Sequence, residues 1–224
     1  MGVQIAIDGP SGSGKSSVAK AVAKELGFIY IDTGAMYRAV GLFILEKEIR
    51  FEDIGAIIEE LENIDLKIVY ENAEQKIFMN GKDVTKRIRT QSVADASSKV
   101  AVIAEVRRKL VDIQRMLAEN HNVIMDGRDI GTHVLPTADL KIYLDADVAA
   151  RTKRRCSELR GLNLSFDYHQ VKKEILSRDD NDFNRKHSPL RKAEDAVLID
   201  TSTLSRDEVK NKILEMIASL KEGG

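Results

Sequence analysis

The sequence predicts an α/β protein: a three-layer α/β/α domain with a five-stranded parallel core sheet, a small antiparallel β-insert and a helical lid. Short apolar runs alternate with segments of helical periodicity along most of the chain, which is typical of a parallel sheet covered on both faces. The chain has 224 residues, a length that suits one domain rather than several. Two segments interrupt the alternation and are therefore predicted to be the insert and the lid.

Five apolar runs are predicted to form the core strands, and four of them end in aspartate. The runs are residues 4–8, 28–32, 123–126, 140–144 and 197–200, the fourth being followed directly by Asp145. Ligands of open parallel sheets bind at the carboxyl ends of the strands, so these carboxylates are candidate site residues. Each one taken singly is also explained as a residue that ends a strand and caps a helix.

Helical periodicity between these runs predicts the covering helices. Residues 15–26 place Val18, Val22, Ala23 and Leu26 on one face and stop at Gly27, a residue typical of helix ends. Residues 33–46, 92–119 and 205–221 show the same periodicity. The segment 92–119 is predicted to be one helix that crosses the whole domain.

The first interruption is a predicted β-insert at about residues 63–92. Its apolar runs, 66–70 and 76–80, are predicted to pair as antiparallel strands, and Asn80 with Gly81 is a tight-turn signal. We expect this insert to stand off the core.

The second interruption is a basic stretch, residues 151–192, predicted to form two helices over 146–159 and 167–184. It carries twelve Lys or Arg and six Asp or Glu, a net of +6 in a chain whose net charge is −1. An anionic partner is therefore expected, with a solvated basic face as the alternative. The expected single domain thus comprises a core (about 1–62, 93–150 and 190–224), a β-insert (63–92) and a basic helical lid (about 151–189).

Composition argues against several classes of protein. With 35 basic and 36 acidic residues, the whole-chain charge does not favour binding to nucleic acid or to a membrane surface. The single cysteine, Cys156, excludes an intrachain disulfide and a multi-cysteine metal site, and it suits a reducing compartment. No window approaches 18 apolar residues, and the start lacks the pattern of a secretion signal. We expect a cytoplasmic location.

A phosphate-binding motif follows the first predicted strand. The segment GPSGSGKS at residues 9–16 matches GxxxxGK[ST] between a strand and a helix, the context that this motif requires and that makes the fold one of the P-loop NTPase type. Its glycines let backbone N–H groups turn inward around phosphate oxygens, and the helix N-terminus adds partial positive charge. Lys15 is predicted to contact the β- and γ-phosphates of ATP, and Ser16 to bind Mg²⁺. The expected ATP-binding residues are Gly9, Pro10, Ser11, Gly12, Ser13, Gly14, Lys15, Ser16 and Ser17.

The rest of the chain favours a small phosphotransferase over a GTP-dependent switch, because a guanine-reading [NT]KxD segment is absent. A phosphotransferase needs a second anion site and a lid that excludes water. Arg38 and Arg128 follow predicted strands and could hold an acceptor phosphate in line with the γ-phosphate, with surface ion pairs as the alternative for each. Asp126 could orient a magnesium-bound water or cap a helix.

Four arginines of the basic stretch are hypothesised to close over the donor phosphates: Arg151, Arg154, Arg155 and Arg160. Their spacing does not indicate which of them contacts the transferred group. The predicted catalytic residues are Lys15, Arg128, Arg151, Arg154 and Arg155.

These motifs together resemble the bacterial cytidylate kinases, which are small P-loop nucleoside monophosphate kinases. The likeness covers the chain from Ile5 to the C-terminal helix. It rests on the segments IDGPSGSGKS, IDTGAMYR, IRTQSVADASSKVA, DGRDIGT, KIYLDA and SRDDNDFNR. The insert at 63–92 is also similar to a small β-domain of that family.

The resemblance implies transfer of the ATP γ-phosphate, with Mg²⁺, to CMP or dCMP, and compact relatives imply a monomer. It implies that the cytosine is contacted by Ser98, Arg107 and Asp129, the sugar by Arg178 and Asp182, and the acceptor phosphate by Arg38, Arg128 and Arg185, with the hydroxyl of Thr33 in the same site. The Asp129 carboxylate would accept a hydrogen bond from the amino group of cytosine and repel the carbonyl of uracil.

Two alternatives stay open at this point. The acceptor could be another small anion, such as UMP, AMP or dephospho-coenzyme A. The chain could instead be a nucleotide-binding regulator or a nucleic-acid ATPase that uses the basic lid as its binding face.

Overall fold

The computed structural model describes residues 2–71 and 74–222. Eight strands lie in this part of the chain: β1 (Gln4–Asp8), β2 (Ile29–Asp32), β3 (Leu66–Glu71), β4 (Glu74–Met79), β5 (Lys82–Asp83), β6 (Val123–Gly127), β7 (Leu140–Asp145) and β8 (Val197–Asp200). Five of them form a parallel sheet in the order β2-β6-β1-β7-β8. All five predicted core strands are therefore confirmed, with bounds that differ by one residue at most.

Helices cover both faces of this sheet. They are α1 (Lys15–Leu26), α2 (Thr33–Glu46), α3 (Ile54–Glu60), α4 (Gln91–Val100), α5 (Ala104–Ala118), α6 (Val148–Gly161), α7 (Tyr168–Asn184) and α8 (Arg206–Glu222). On one face, β1 and β7 pack against Val22 of α1 and Ile213 of α8. On the other, Ala6 and Met125 pack against Val111 of α5. The predicted three-layer fold is confirmed.

The single helix predicted over 92–119 is wrong, because the chain breaks between α4 and α5. Ile103 has extended backbone dihedrals (φ −82°, ψ 122°), and its side chain is buried in the apolar cluster that contains α2. Helix α4 lies so close to α2 that a Cβ on Gly41 would come within 2.9 Å of the Ser97 nitrogen. The break lets α4 pack on α2 while Val111 of α5 packs against the sheet.

The β-insert does not stand off the core as expected. Strands β3, β4 and β5 form an antiparallel sheet, and the buried side chains Leu66, Ile77 and Met79 belong to the same apolar cluster as α2. The predicted turn is confirmed, with positive φ at Asn80 (49°) and Gly81 (76°). Burying one apolar face of a small sheet against a helix supplies stability that two or three short strands alone lack.

A side chain also fixes the insert to the main sheet. Gln75 of β4 accepts a hydrogen bond from the Asp32 nitrogen at 2.7 Å and donates one to the Asp32 carbonyl at 3.3 Å. Gln75 therefore supplies hydrogen-bond partners for both the N–H and the carbonyl of Asp32, at the end of β2, which is an edge strand of the main sheet.

The basic segment forms α6 and α7, which pack through Cys156, Val171 and Ile175. Asp147 and Asp167 cap these helices by accepting from backbone nitrogens at 2.6 and 2.8 Å. Helix α6 therefore starts and ends two residues later than predicted.

The division into core, insert and lid stays a prediction, and residues 1, 72, 73, 223 and 224 of the predicted domain lie outside the described residues. Of the helices that the structure describes, none is long and apolar enough to cross a membrane.

Candidate active site

The phosphate-binding motif forms an open loop between β1 and α1. Gly9 has a φ of 148°, and a Cβ there would lie 1.9 Å from the Leu144 carbonyl oxygen. Gly14 precedes the first turn of α1 with a φ of 94°, and no side chain caps the helix there. The first N–H groups of α1 are thus available to an anion, which the helix dipole also favours.

Lys15 is buried beside this loop. Its Nζ donates to the Pro10 carbonyl at 2.7 Å and to the Ser13 hydroxyl at 3.4 Å. Burial, and then the charge of Arg128, lowers the pKa of Lys15 well below its ordinary value. A cation in this situation is stabilised by an anionic ligand.

Asp126, at the end of β6, connects the loop to the neighbouring strand. Its carboxylate accepts from the Ser16 hydroxyl at 2.7 Å and from the Tyr30 hydroxyl at 2.9 Å. Its carbonyl accepts from the Thr33 hydroxyl at 2.8 Å. Burial, and then the charge of Asp32, raises the pKa of Asp126 to about 6.

The side-chain oxygens of Ser16 and Asp126 are suitable ligands for Mg²⁺. This hard cation prefers oxygen ligands, and proteins usually hold it through one or two groups together with phosphates. Within residues 2–71 and 74–222, no group of three or more His, Cys, Asp or Glu could hold a metal ion by itself.

A cluster of arginines lies beside Lys15. Arg128 donates from Nε to Asp182 at 2.7 Å, and this partner raises the pKa of Arg128 although burial opposes it. Burial, and then the charge of Arg128, lowers the pKa of Arg178 to about 10. The Nε of Arg178 is buried, and the described residues give it no hydrogen-bond partner. Burial also lowers the pKa of Arg38, with Arg128 among the charges that act on it.

Asp129 lies between two buried arginines. One carboxylate oxygen accepts from Arg107, and the other lies 3.2 Å from Nη2 of Arg185. All three residues are at most 9% exposed. The guanidinium carbon of Arg107 lies 5.7 Å from the centre of the Tyr37 ring. The two arginines fix the direction of the carboxylate and stabilise its charge.

The four lid arginines differ in their surroundings. Arg151 is buried and donates to the carbonyl oxygens of Ala146 and Ser11, at 3.0 and 3.1 Å, and to Asp179. Arg154 donates to the Thr201 hydroxyl at 3.0 Å and reaches the Gly12 carbonyl at 3.4 Å.

The other two lid arginines make weaker contacts. Arg155 pairs with Glu158 and Gln91, both at 3.1 Å, near the surface. The guanidinium of Arg160 lies over the ring of Phe166, 5.5 Å from its centre.

Comparison with known proteins decides which family has this arrangement. A family model described as cytidylate kinase matches residues 5–219. A cytidylate kinase from Caldicellulosiruptor bescii is 50% identical over 214 residues, which cover 96% of this chain and 95% of that protein. A cytidylate kinase from Carboxydothermus hydrogenoformans is 48% identical over 96% of this chain and 97% of that protein.

The chain belongs to the cytidylate kinase family.

Solved structures agree on the fold of this cytidylate kinase family member. A gluconokinase from Sinorhizobium meliloti has a TM-score of 0.52 at 15% identity, with 98% of this chain and 94% of that chain covered. An uncharacterized protein from Eubacterium ventriosum also has a TM-score of 0.52, at 14% identity, with 97% and 99% covered. At such low identity these likenesses concern the fold alone.

For a cytidylate kinase family member, the structure brings most of the predicted site residues into one network. The predicted donor residues in it are Lys15, Ser16 and Asp126, and the predicted acceptor residues are Arg38, Arg107, Arg128, Asp129, Arg178, Asp182 and Arg185. Ser98 is less connected: its hydroxyl donates to the Ala94 carbonyl of its own helix at 3.4 Å. Its contact with the base stays a prediction.

Sequence reasoning missed two residues that contact the candidate site of this cytidylate kinase family member. Arg89 donates to Asp32 at 3.2 Å. Burial lowers the pKa of Arg38, Asp32 acts in the opposite direction, and the charge of Arg89 lowers it further. Asp179 pairs with Arg151 at 2.6 Å. The basic run 86–89 and the position of Asp179 next to Arg178 were signals that could have indicated them.

Proposed function

We propose that the protein transfers the γ-phosphate of ATP to CMP or dCMP, which gives ADP and CDP or dCDP. The observation that carries this proposal is the convergence of two sets of cations. Lys15 belongs to the ATP loop and Arg128 to the acceptor segment, yet after burial the charge of Arg128 is the largest influence that lowers the pKa of Lys15. The γ-phosphate of ATP and the phosphate of the acceptor, bound facing each other, would neutralise both sets of cations.

The donor side would hold the ATP phosphates through the loop N–H groups, the N-terminus of α1 and Lys15. Ser16 would bind Mg²⁺ directly, and Asp126 would act through a water molecule or through the hydrogen bond that it accepts from Ser16. Mg²⁺, when bound, neutralises negative charge on the β- and γ-phosphates.

The acceptor side would hold the CMP phosphate through Arg38, Arg128 and Arg185, and the sugar through Arg178 and Asp182. An oxygen of this phosphate forms the new bond to the γ-phosphorus while the bond from the γ-phosphorus to the β–γ bridging oxygen breaks. ADP leaves with that bridging oxygen. The acceptor is anionic at neutral pH, so positioning and charge stabilisation suffice without a general base.

Selection of the base would depend on Asp129. A carboxylate offers about four acceptor positions, and Arg107 and Arg185 occupy one on each oxygen. The remaining positions can accept from the amino group of cytosine. UMP would place a carbonyl oxygen there, and an unpaired or repelling polar contact can cost on the order of 10⁴ in specificity.

Three further properties belong to this proposal. We propose that the protein acts as a monomer, which sedimentation at several concentrations would test. A cytoplasmic location is supported by its single cysteine, which suits a reducing compartment. Membership of the cytidylate kinase family does not favour the alternatives of another small acceptor or of a nucleic-acid ATPase.

The test is a comparison of initial rates with CMP, dCMP, UMP and AMP, each with ATP and Mg²⁺ and without nucleic acid. We expect CMP and dCMP to be phosphorylated faster than UMP and AMP. A Lys15→Met variant should lose transfer to every acceptor, and Lys24→Met is its matched control, since Lys24 is exposed in the last turn of α1, at the end opposite to the loop. A kcat/KM for AMP or UMP that equals or exceeds the kcat/KM for CMP and dCMP would contradict the proposal.

A further inference from the structure

Asp8, the last residue of β1, makes a contact that the proposed mechanism does not use. It is 4% exposed. One carboxylate oxygen accepts from the Ile130 nitrogen and the other from the Gly131 nitrogen, both at 2.8 Å. These two N–H groups come directly after Asp129 in the chain. A buried carboxylate therefore holds the segment that carries the proposed base-selecting residue.

The segment needs such support because its backbone is unusual. Ile130–Val134 forms a π-helical turn, a rare structure that is frequent at functional sites. The first N–H groups of any helical turn lack an acceptor within the turn. Asp129 itself has a φ of −144° and a ψ of 28°, outside the main helical and extended regions. Asp8 supplies the acceptors that the Ile130 and Gly131 N–H groups lack within the turn.

Asp8 also connects the two halves of the site. It immediately precedes Gly9 of the ATP loop, and its Cα lies opposite Gly127 in the parallel pairing of β1 and β6. Burial raises the pKa of Asp8 to about 7; the two backbone hydrogen bonds act in the opposite direction, and Asp129 and Lys15 are the charges that face it. Burying a carboxyl group at this position lowers the free energy of unfolding, and an apolar residue there would avoid that loss.

We propose that Asp8 is a positioning residue for base selection. Its two hydrogen bonds fix the backbone of Ile130 and Gly131, and this sets the direction in which the Asp129 carboxylate meets the acceptor base. The inference rests on the proposed function of Asp129. It assigns to a residue of the ATP-loop strand an effect on the acceptor rather than on ATP.

The substitution Asp8→Asn tests this proposal. The side chain keeps its size and one acceptor oxygen, but its NH₂ group faces one of the two backbone N–H donors. We expect the KM for CMP to rise and the preference for CMP over UMP to fall, each on the order of tenfold, as for one lost buried hydrogen bond. The KM for ATP should stay near the wild-type value. A residue with a merely structural role would lower the amount of active enzyme without changing this preference.

Asp139→Asn is the matched control. The Asp139 carboxylate accepts a hydrogen bond from the Gln4 nitrogen at 2.7 Å, so it also holds a backbone N–H group, but at the end of β1 opposite to Asp8. We expect its kinetics to match the wild type. A folded Asp8→Asn enzyme with an unchanged KM for CMP and unchanged preference would overturn the proposal.

Gly131→Ala decides the question if Asp8→Asn does not fold. Its Cβ would lie 3.1 Å from Cδ of Lys141, a buried side chain whose end is held by Pro136 and Asp195. We therefore expect the turn to shift by a few tenths of an ångström while every charge stays. A weaker base preference supports the proposal, and an unchanged one overturns it. The assay uses CMP, dCMP, UMP and AMP. If the wild type prefers an acceptor other than CMP, the proposed function fails, and the variants still show whether Asp8 controls that preference.

Discussion

Arg151 and Asp179 form a buried ion pair, with 2.6 Å between Nη1 and Oδ2. The same nitrogen of Arg151 also donates to the Ser11 carbonyl of the ATP loop at 3.1 Å. A single side chain of α6 thus joins the loop to α7, the helix that carries Arg178 and Asp182. Arg154 also contacts the loop, at the Gly12 carbonyl, but Arg151 is the buried one of the four lid arginines.

Loss of one partner of this pair should destabilise the fold. Arg151→Ala leaves Asp179 buried without a counter-charge, and breaking a buried pair costs about 3–5 kcal/mol. The double variant Arg151→Met with Asp179→Leu should recover most of that loss, because apolar residues of similar size can replace a buried pair. Urea unfolding of the two single variants and the double variant measures this. If the double variant is less stable than both single variants, the pair is not the source of the effect.

Arg155 should carry more of the catalytic effect than Arg160. Its partners are partly exposed, and such pairs contribute little and break easily. It is also among the charges that lower the pKa of Arg178. An arginine that reaches the transferred group is worth about 10³ to 10⁵ in rate, so Arg155→Ala should lower kcat on that scale. Arg160→Ala, which removes only a contact with Phe166, is the control and should keep wild-type kcat. A larger loss of kcat in Arg160→Ala than in Arg155→Ala would contradict the prediction.

Lys15→Met should abolish most transfer without weakening the fold. Lys15 is 5% exposed, and its lowered pKa means that burial disfavours its charge. Methionine fills similar space with no charge to desolvate. We expect the free energy of unfolding at neutral pH to be equal or higher, and kcat to fall on the order of 10² to 10³ or more. Substitution of the exposed Lys24 by methionine should change neither quantity. A strongly destabilised Lys15→Met protein would show that the ammonium group has a structural role.

Asp129→Ala should lose the preference for CMP over UMP. The variant leaves Arg107 and Arg185 buried without their shared counter-charge, so it should also lose about 3–5 kcal/mol of stability. Glu25→Ala separates the two effects, because it removes an ion pair with the partly buried Lys210 between α1 and α8, outside the proposed site. That control should be destabilised to a smaller extent and keep the wild-type CMP to UMP ratio of kcat/KM. An unchanged ratio in Asp129→Ala would remove the proposed role of the carboxylate.

Asp8 should make stability depend on pH. Burial raises its folded pKa from 3.8 to about 7, so between these values the folded protein retains a proton that the unfolded chain releases. The contribution of Asp8 to stability is therefore fully present below about pH 4 and is lost as the pH rises to about 7. The difference in unfolding free energy between wild type and Asp8→Asn should fall by roughly 4 kcal/mol over that range. Urea titrations at several pH values measure it, and parallel curves for the two proteins would contradict the assignment.

The sequence predicted most of the fold because local signals coincide. The core strands are apolar runs that four times end in aspartate, and Gly27 and Asp32 mark helix ends that the structure has. The break at Ile103 was not predictable in this way. No glycine or proline marks it, and its cause is the burial of Ile103 in the cluster around α2. Strand β5 has only two residues, too few for any periodicity.

Local sequence alone predicted the candidate site where one short segment carries the chemistry, and the family resemblance supplied most of the residues from other segments. The loop from Gly9 to Ser16 needs nothing beyond its own sequence and the adjoining helix. Pairs such as Arg151 with Asp179, or Asp8 with Gly131, lie 28 and 123 residues apart. Their contacts are set by how strands and helices pack, and an arginine that makes two buried contacts has the same local sequence signal as an exposed one.

Gln75 has a consequence for association between copies of the chain. An unpaired edge strand is a template on which another polypeptide can add a strand. At Asp32, the amide side chain of Gln75 already occupies the N–H and the carbonyl, and the hairpin that carries it lies alongside. An incoming strand would have to displace that hairpin before it could extend the sheet past β2, so the insert protects the sheet against unwanted growth at this end.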